Sequence, residues 1–416
     1  DALRLRSEEL EALGVTVMLG VEAVPGCYDL AVVSPGIPPH ARLMRSARDH
    51  AGELVSELEF AYRRSTASWL AVTGTNGKTT VTTLIGHLLT TAGRSAAVVG
   101  NIGTPAISAV DRMERDGMFV AEVSSFQLAL TRDFHPRVSV LLNVTPDHLD
   151  WHGSMEEYAA AKARVFARQG PGDVAVIDGD DDGAARFLEP VRRQGVEVAE
   201  VTLSRRVPGG AGLDSDGMLT LHTGDGPVTL VHRDSLPVRG DHNVRNVLAA
   251  ARATHALGVG HEALRAGLVS FRPLGHRLEP VRTVDGIAFV NDSKATNPDA
   301  AVKALRSFAG RPVTVLLGGR NKGSRFSDVS TALADTGARA VLFGEAADEI
   351  ARDIEGSGAP FERAGTLSEA FRLALRETAP GGVVLLSPGC ASFDEFSGYA
   401  ERGEAFRRLV EGVSGG

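Results

Sequence analysis

The stretch from Trp69 to Gly93 constrains this chain more than any other. Trp69-Leu70-Ala71-Val72-Thr73 is a short apolar run of the kind that forms a buried strand, and Gly74-Thr75-Asn76-Gly77-Lys78-Thr79-Thr80 follows it directly. Val81, Leu84, Ile85, Leu88 and Leu89 then recur at helical spacing until Gly93 stops the pattern. A strand, a glycine-rich turn and a helix opening on Lys-Thr form the setting of a phosphate-binding loop. The glycines let backbone N–H groups turn inward on an anion. The helix N-terminus adds a positive partial charge, and Lys78 adds a full one. Thr79 offers its hydroxyl to a magnesium ion. The usual first glycine, five residues before Gly77, is Val72 here, so the loop is a variant. A glycine turn carrying a surface lysine is the alternative, and the flanking strand and helix favour nucleoside triphosphate binding.

Short apolar runs, glycine-containing turns and amphipathic stretches alternate along the whole chain, which predicts an α/β protein of βαβ units on mostly parallel sheets. Its 416 residues exceed one ordinary domain. Three blocks are expected: 1–57, 58–273 and 274–416. The first holds a short strand at 30–33, stopped by Ser34-Pro35-Gly36-Ile37-Pro38-Pro39, and is too small to bury a good core alone. The third carries apolar runs at 287–290, 313–317, 341–343 and 383–386 with helical patterns between them, as a small doubly wound domain would. A net charge of −8, scattered basic residues and 5% aromatics argue against a nucleic-acid surface or an anionic membrane as partner. No run approaches a membrane span and no N-terminal signal peptide is visible. Cys27 and Cys390 are too few for a disulfide framework, so a cytoplasmic location is expected.

Further chemistry-bearing residues sit at the ends of apolar runs. Glu122 closes the expected strand Met118-Phe119-Val120-Ala121-Glu122-Val123, at the end where α/β sheets present ligand-binding groups. A carboxylate there can hold magnesium beside the phosphate loop. An edge charge in solvent is the alternative, and the apolar flanks favour the metal. The run 138–144 ends in Thr145-Pro146-Asp147-His148-Leu149-Asp150. Taken alone, His148 reads as a capped loop histidine. Ser154 with Glu157 predicts a capping box opening a helix through Tyr158, Lys162 and Phe166, on which Lys162 alone is a solvated residue. Asp178-Gly179-Asp180-Asp181-Asp182 lacks the spacing of a calcium loop and reads as a turn after a strand at 174–177.

Gly240-Asp241-His242-Asn243-Val244-Arg245-Asn246 leads into an alanine-rich helix at 247–252. Asn243 and Asn246, one helical turn apart, either share a ligand or serve capping and packing. Arg272-Pro273-Leu274-Gly275-His276-Arg277 reads as a linker whose Arg277 reaches a phosphate or makes a surface ion pair. Three polar loops begin at Asn291, Gly318 and Ser387, each directly after one of the third block's apolar runs. They belong on one edge of one sheet, where a small anionic substrate binds.

The order of these motifs resembles the Mur ligase family, the ATP-dependent amino-acid ligases of peptidoglycan assembly. The markers are the phosphate loop, Asn101-Ile102-Gly103, Glu122-Val123-Ser124-Ser125-Phe126-Gln127-Leu128, the stretches 143–150 and 242–246, His276-Arg277 and Asp292-Ser293-Lys294-Ala295-Thr296-Asn297. Within the family, Ser34-Pro35-Gly36-Ile37, the 292–297 loop and 387–396 look most like the members that join D-glutamate to UDP-MurNAc-L-Ala.

The resemblance implies three domains: a partial Rossmann-like domain for the uridine nucleotide, a central P-loop ATPase-like domain and a C-terminal Rossmann-like domain. It implies ATP at Gly74, Thr75, Asn76, Gly77, Lys78, Thr79 and Thr80, with Asn246, Arg277 and Asp292 also on the nucleotide. Two magnesium ions are implied, one at Thr79 and Glu122, the other near His148 and a carboxylated Lys162. Ser34, Pro35, Gly36 and Asn101 are implied for the UDP substrate, and Asp1 for uridine. Lys294, Thr296, Lys322, Ser392, Phe393 and Tyr399 are implied around D-glutamate, Tyr399 standing where Phe is usual. Lys78, Glu122, His148, Lys162 and Lys294 form the expected catalytic set, in a monomer. Against the family pattern, the first strand, glycine-rich turn and first helix of the uridine-binding domain are expected to be missing before Asp1. Another Mur ligase, a folylpolyglutamate synthetase-like amide ligase and a non-catalytic nucleotide-binding protein are the competing readings.

Overall fold

The computed structural model describes residues 2–34, 36–272 and 275–413. Asp1 and Pro35, implied for the uridine nucleotide, and Pro273 and Leu274 of the expected linker lie outside them. Three sheets follow one another along the chain. The first is a parallel pair, Tyr28–Val33 beside Ala51–Ser56. Its second strand runs straight into the helix Glu57–Arg64, whose Leu58 and Ala61 are buried with Trp69, Phe119 and Phe134 against the next sheet.

That next, central sheet has nine strands. Ser68–Thr73 lies between Met118–Glu122 and Val138–Leu141, all parallel, and the edge strand Ala96–Gly100 pairs with Met118–Glu122. Beyond Val138–Leu141 the sheet continues in parallel through Val174–Asp178 and Glu197–Val201 to Ala211–Leu213. It ends in the antiparallel strands Met218–Thr223 and Gly226–His232. Parallel strands covered on both faces must be apolar throughout, and Trp69, Leu70, Ala71 and Val72 are at most 1% exposed. The helix Lys78–Thr91 covers one face, with Leu84, Ile85 and Leu88 packed among Val247, Leu248 and Ala251 of the helix Asp241–Ala256.

The C-terminal sheet has six strands, with Val383–Gly389 between Ile287–Asn291 and Val313–Gly318. Arg339–Phe343 and Phe361–Arg363 extend the parallel sheet on one side. Glu279–Val284 adds an antiparallel edge on the other. The three polar loops therefore leave three adjacent parallel strands at the same edge, as expected.

Three local expectations change. The helix after Gly240 begins at Asp241, so His242, Asn243 and Asn246 lie within its first turns and not before it. The strand expected to end at 386 runs to Gly389. At Ser154 only half of the capping box forms: its Oγ accepts the Glu157 N–H at 3.1 Å. The complete boxes are Ser124 with Gln127 and Thr366 with Glu369.

Glu59 anchors the helix Glu57–Arg64 to the central sheet. Fully buried, it accepts the backbone N–H groups of Arg132, Asp133 and Phe134 at 2.9–3.0 Å and the Arg63 Nε at 2.8 Å. Glu59→Ala removes the buried partner of Arg63 and of three backbone donors, of which Phe134 N is itself buried, and is expected to cost about 3–5 kcal/mol in denaturant unfolding. A loss below about 1 kcal/mol would show that water replaces the carboxylate.

Candidate active site

The phosphate loop, Glu122 and the loop 143–148 leave three adjacent parallel strands at one edge of the central sheet. Gly77 caps the helix Lys78–Thr91 with φ 85°, a left-handed conformation that glycine adopts freely. A Cβ there would also come within 2.6 Å of Asn246 Oδ1, so the glycine lets the Asp241–Ala256 helix touch the loop. Asn143 clamps the loop from behind: its Oδ1 accepts Asn76 N at 2.7 Å and its Nδ2 donates to Asn76 O at 3.0 Å. Thr75 Oγ1 lies 3.0 Å from the Tyr158 hydroxyl.

Two lysines converge on the loop. Lys78 Nζ donates to Gly74 O at 2.9 Å and Thr75 O at 2.8 Å, and Lys162 Nζ donates to Gly74 O at 2.8 Å. Lys162 is not the solvated residue its helix alone predicts. It is 2% exposed, with its ammonium 4.5 Å from the centre of the Tyr158 ring. Burial and the Lys78 cation hold its pKa well below the usual lysine value, against the pull of Asp147 and Glu122. Lys78 is lowered for the same first reason, burial.

Glu122 is 2% exposed; one carboxylate oxygen accepts Asn101 Nδ2 at 2.8 Å, while Oε2 is buried without a hydrogen-bond partner. An orphaned buried carboxylate oxygen is expensive, and a cation beside the phosphate loop would satisfy it. Among the described residues no cluster of three His, Cys, Asp or Glu side chains is arranged as a metal site. Magnesium needs no such cage, because phosphate and water oxygens supply most of its ligands. The donor set of Glu122 and the Thr79 hydroxyl fits that ion.

His148 adopts φ 54° at the start of the helix Leu149–His152 and meets the Phe126 ring edge-on. Burial lowers its pKa to about 4; Asp147 opposes this, and Lys322, Lys78 and Lys162 add to it. Asp147, absent from the expected site, accepts Asn297 Nδ2 at 3.1 Å and Lys322 Nζ at 3.4 Å. Burial disfavours its charge, but Lys322, His148, Asn297 and Lys78 outweigh that and hold its pKa below the usual carboxylate range. Thr75, Lys78, Asn101, Asp147, His148 and Lys162 line one cavity.

A second, open cleft of about 770 Å³ lies between the central and C-terminal sheets. Asn76, Gly77, Thr80 and Asn246 face it from one side, Arg277, Asp292 and Lys294 from the other. Asn243 also lines it, with Asn246 Nδ2 3.4 Å from its Oδ1, so the two asparagines do share a face. Burial raises Asp292 to about 7, although its carboxylate accepts Ser387 Oγ at 2.8 Å and Leu278 N at 3.1 Å. Lys294 Nζ sits 3.8 Å above the Tyr399 ring, a cation–π contact.

The remaining implied residues are less concentrated. Thr296 and Ser392 lie on the loops that border this edge, and Phe393 is 63% exposed. Ser34 and Gly36 are exposed and line neither cavity. One organising residue had no local signal. Arg402, fully buried, donates to Ser293 O at 2.8 Å, Cys390 O at 3.1 Å, Ala391 O at 3.3 Å and Gly318 O at 3.5 Å, joining all three loops. Its sequence neighbours are those of an ordinary helix, Tyr399–Glu411.

Fold and site together define a phosphate-loop protein whose loop faces an open cleft shared with a second, C-terminal α/β sheet. Residues 72–254 match the Mur ligase middle domain and residues 276–390 the Mur ligase glutamate ligase domain. UDP-N-acetylmuramoylalanine–D-glutamate ligase of Pelotomaculum thermopropionicum is 44% identical over 411 residues, covering 97% of this chain and 88% of that protein. The enzyme of the same name from Rubrobacter xylanophilus is 43% identical over 410 residues, covering 97% and 89%. Among solved structures, MurF from Acinetobacter baumannii superposes with a TM-score of 0.67 at 20% identity, covering 95% of this chain and 93% of that one. MurF ligase from Thermotoga maritima in complex with ADP gives 0.65 at 20% identity, covering 94% and 96%. The chain belongs to the Mur ligase family.

Proposed function

We propose that this protein is an ATP-dependent ligase that adds D-glutamate to UDP-N-acetylmuramoyl-L-alanine in peptidoglycan precursor synthesis. The observation that carries the reading is the shared cleft, with a phosphate loop on one wall and cation-bearing loops on the other. Relatives 43–44% identical to the chain bear that activity in their name. The proposed division into 1–57, 58–273 and 274–416 follows the three sheets.

A carboxylate oxygen of UDP-MurNAc-L-Ala attacks the γ-phosphorus of ATP, the bond to the β-phosphate oxygen breaks, and ADP leaves with its electron pair. The product is an acyl phosphate. Lys78 and the loop amides face the charge that spreads over the transferred phosphoryl group. The D-glutamate amine then attacks the acyl carbon, loses a proton, and phosphate leaves. Held near 4, His148 stays neutral and is a weak base, so it orients the reacting groups and is not an obligatory proton acceptor. Closure of the C-terminal wall over the cleft would exclude water from the intermediate.

Magnesium, when bound, supplies positive charge to the phosphates; Glu122 and Thr79 would hold one ion, His148 and Lys162 would flank the second. Lys162 suits carboxylation because its lowered pKa favours the neutral amine. That nitrogen would add carbon dioxide, lose a proton and become an anionic carbamate. Asn246, Arg277 and Asp292 would contact the nucleotide, and Asn101, Ser34 and Gly36 the UDP substrate. Lys294, Thr296, Lys322, Ser392, Phe393 and Tyr399 would surround D-glutamate. We propose a monomer in the cytoplasm; among the described residues no helix is long and apolar enough to cross a membrane.

The deciding experiment measures phosphate release with ATP, magnesium and UDP-MurNAc-L-Ala, comparing D- with L-glutamate. Release that depends on D-glutamate is expected. Equal release with both acceptors, or with neither, would sink the assignment.

Lys294 adds a pH signature. Burial first, then the Arg277, Lys78 and Lys322 cations, lower its pKa to about 8, while Glu122 opposes them. Above that pH the lysine is neutral and an acceptor carboxylate loses its counterion. The acceptor KM, corrected for the fraction in the amine form, is expected to rise roughly tenfold per pH unit above 8. Lys294→Met should show a high KM that does not move over the same range.

A further inference from the structure

Asp299 stands in the first turn of the helix Pro298–Arg306, on the C-terminal wall of the cleft. Its Oδ2 accepts a hydrogen bond from Asn76 Nδ2, one from Thr145 Oγ1 at 3.1 Å, and one from Lys303 Nζ at 2.8 Å. Two of these donors belong to the central unit, one from each loop beside the phosphate site. Asn297, which caps the same helix, adds Asp147 at 3.1 Å and Asn76 Oδ1 at 3.4 Å. Asn76 cannot yield easily, because Asn143 fixes its backbone N–H and carbonyl. Lys303, one helical turn on, supplies a counter-charge, so the carboxylate does not present a bare negative charge to incoming phosphates.

These ties sit between the two cavities. Asn76 and Lys303 line the nucleotide cleft, while Thr75 and Asp147 line the cavity around Lys162 and His148. We infer that Asp299 is a positioning residue, an inter-unit latch that holds the acceptor-side loops against the phosphate loop while the acyl phosphate exists. Its chemical consequence rests on the ligase reading above; its structural one does not. With the latch made, the amine reaches the acyl carbon before water does. With it undone, a water oxygen attacks that carbon, phosphate leaves, the acid is regenerated and ATP is spent without an amide.

The test uses the full chain, Asp299→Ala and Asp299→Asn, each checked for folding by its thermal transition. Two quantities are read: the radius of gyration of the free protein by solution X-ray scattering, and phosphate released per amide bond formed. Asp299→Ala is expected to enlarge the radius beyond wild-type error and to raise the ratio roughly threefold or more. Asp299→Asn, which keeps an acceptor oxygen, should fall between the two. Movement of both quantities in that order supports the latch. A folded Asp299→Ala with either quantity unchanged overturns it, and should that variant not fold, the same criteria apply to Asp299→Asn. If the wild type makes no amide from D-glutamate, the ligase reading falls and the scattering comparison alone decides the latch.

Discussion

Lys78→Ala is expected to lower turnover by roughly a thousandfold, the largest loss for any single change in this protein. The half-buried lysine lies at the mouth of the phosphate loop, and in the free chain its protons rest on Gly74 O and Thr75 O at 2.9 and 2.8 Å. Those two bonds are weak holdings compared with a phosphate oxygen, because there the ammonium meets a full negative charge and not only a carbonyl dipole. The side chain would therefore exchange loop carbonyls for phosphate as the nucleotide arrives, and gain most where charge builds on the transferred group. Lys78→Arg should not restore the rate, since the longer planar group does not fit a space shaped for a compact ammonium. Single-turnover phosphate release checks both variants, with a thermal transition to show that each is folded. Undiminished release from Lys78→Ala would remove the phosphate loop from the chemistry.

Glu122→Gln is the second. The substitution keeps the oxygen that accepts Asn101 Nδ2 at 2.8 Å and replaces the unpartnered Oε2 by an amide. Loss of that anionic oxygen is expected to weaken magnesium dependence 10–100-fold and to lower turnover by about a hundredfold at fixed metal. A second effect does not need the metal. Glu122→Gln puts two amide donors where no acceptor stands and removes the charge that faces Lys78, Lys162, Arg277 and Lys294, so it should destabilise the metal-free protein by about 1 kcal/mol. A magnesium titration and a metal-free thermal melt read the two effects separately. An unchanged magnesium midpoint would exclude Glu122 as a ligand.

Much of the fold was legible because its signals are local. Apolar strand runs and the helix after Lys78 declare themselves within ten or fifteen residues, and the phosphate loop needs only its own glycines and Lys-Thr. The antiparallel strands Met218–Thr223 and Gly226–His232 were harder to read, since their apolar alternation, Leu219-Thr220-Leu221-His222 and Val228-Thr229-Leu230, spans only three or four residues. In the site, Glu122 was readable from its position at a strand end. Lys162 became readable only through family resemblance, because its helix pattern gives no hint of burial. Asp147, Tyr158 and Asp299 act through partners 150, 83 and 223 residues away, and no window along the chain contains such pairs. Arg402 is the extreme case, an unremarked helical arginine whose role exists only where three loops meet.

If the three loops hold the acceptor as proposed, that arginine also limits how acceptor preference can change. Since one guanidinium fastens the turns beginning at Asn291, Gly318 and Ser387, reshaping any of them drags on the other two. Taste for a different amino acid would have to be inherited as a cassette, and a chimera that imports a single turn from a cousin would gain a misfit before it gained a new diet.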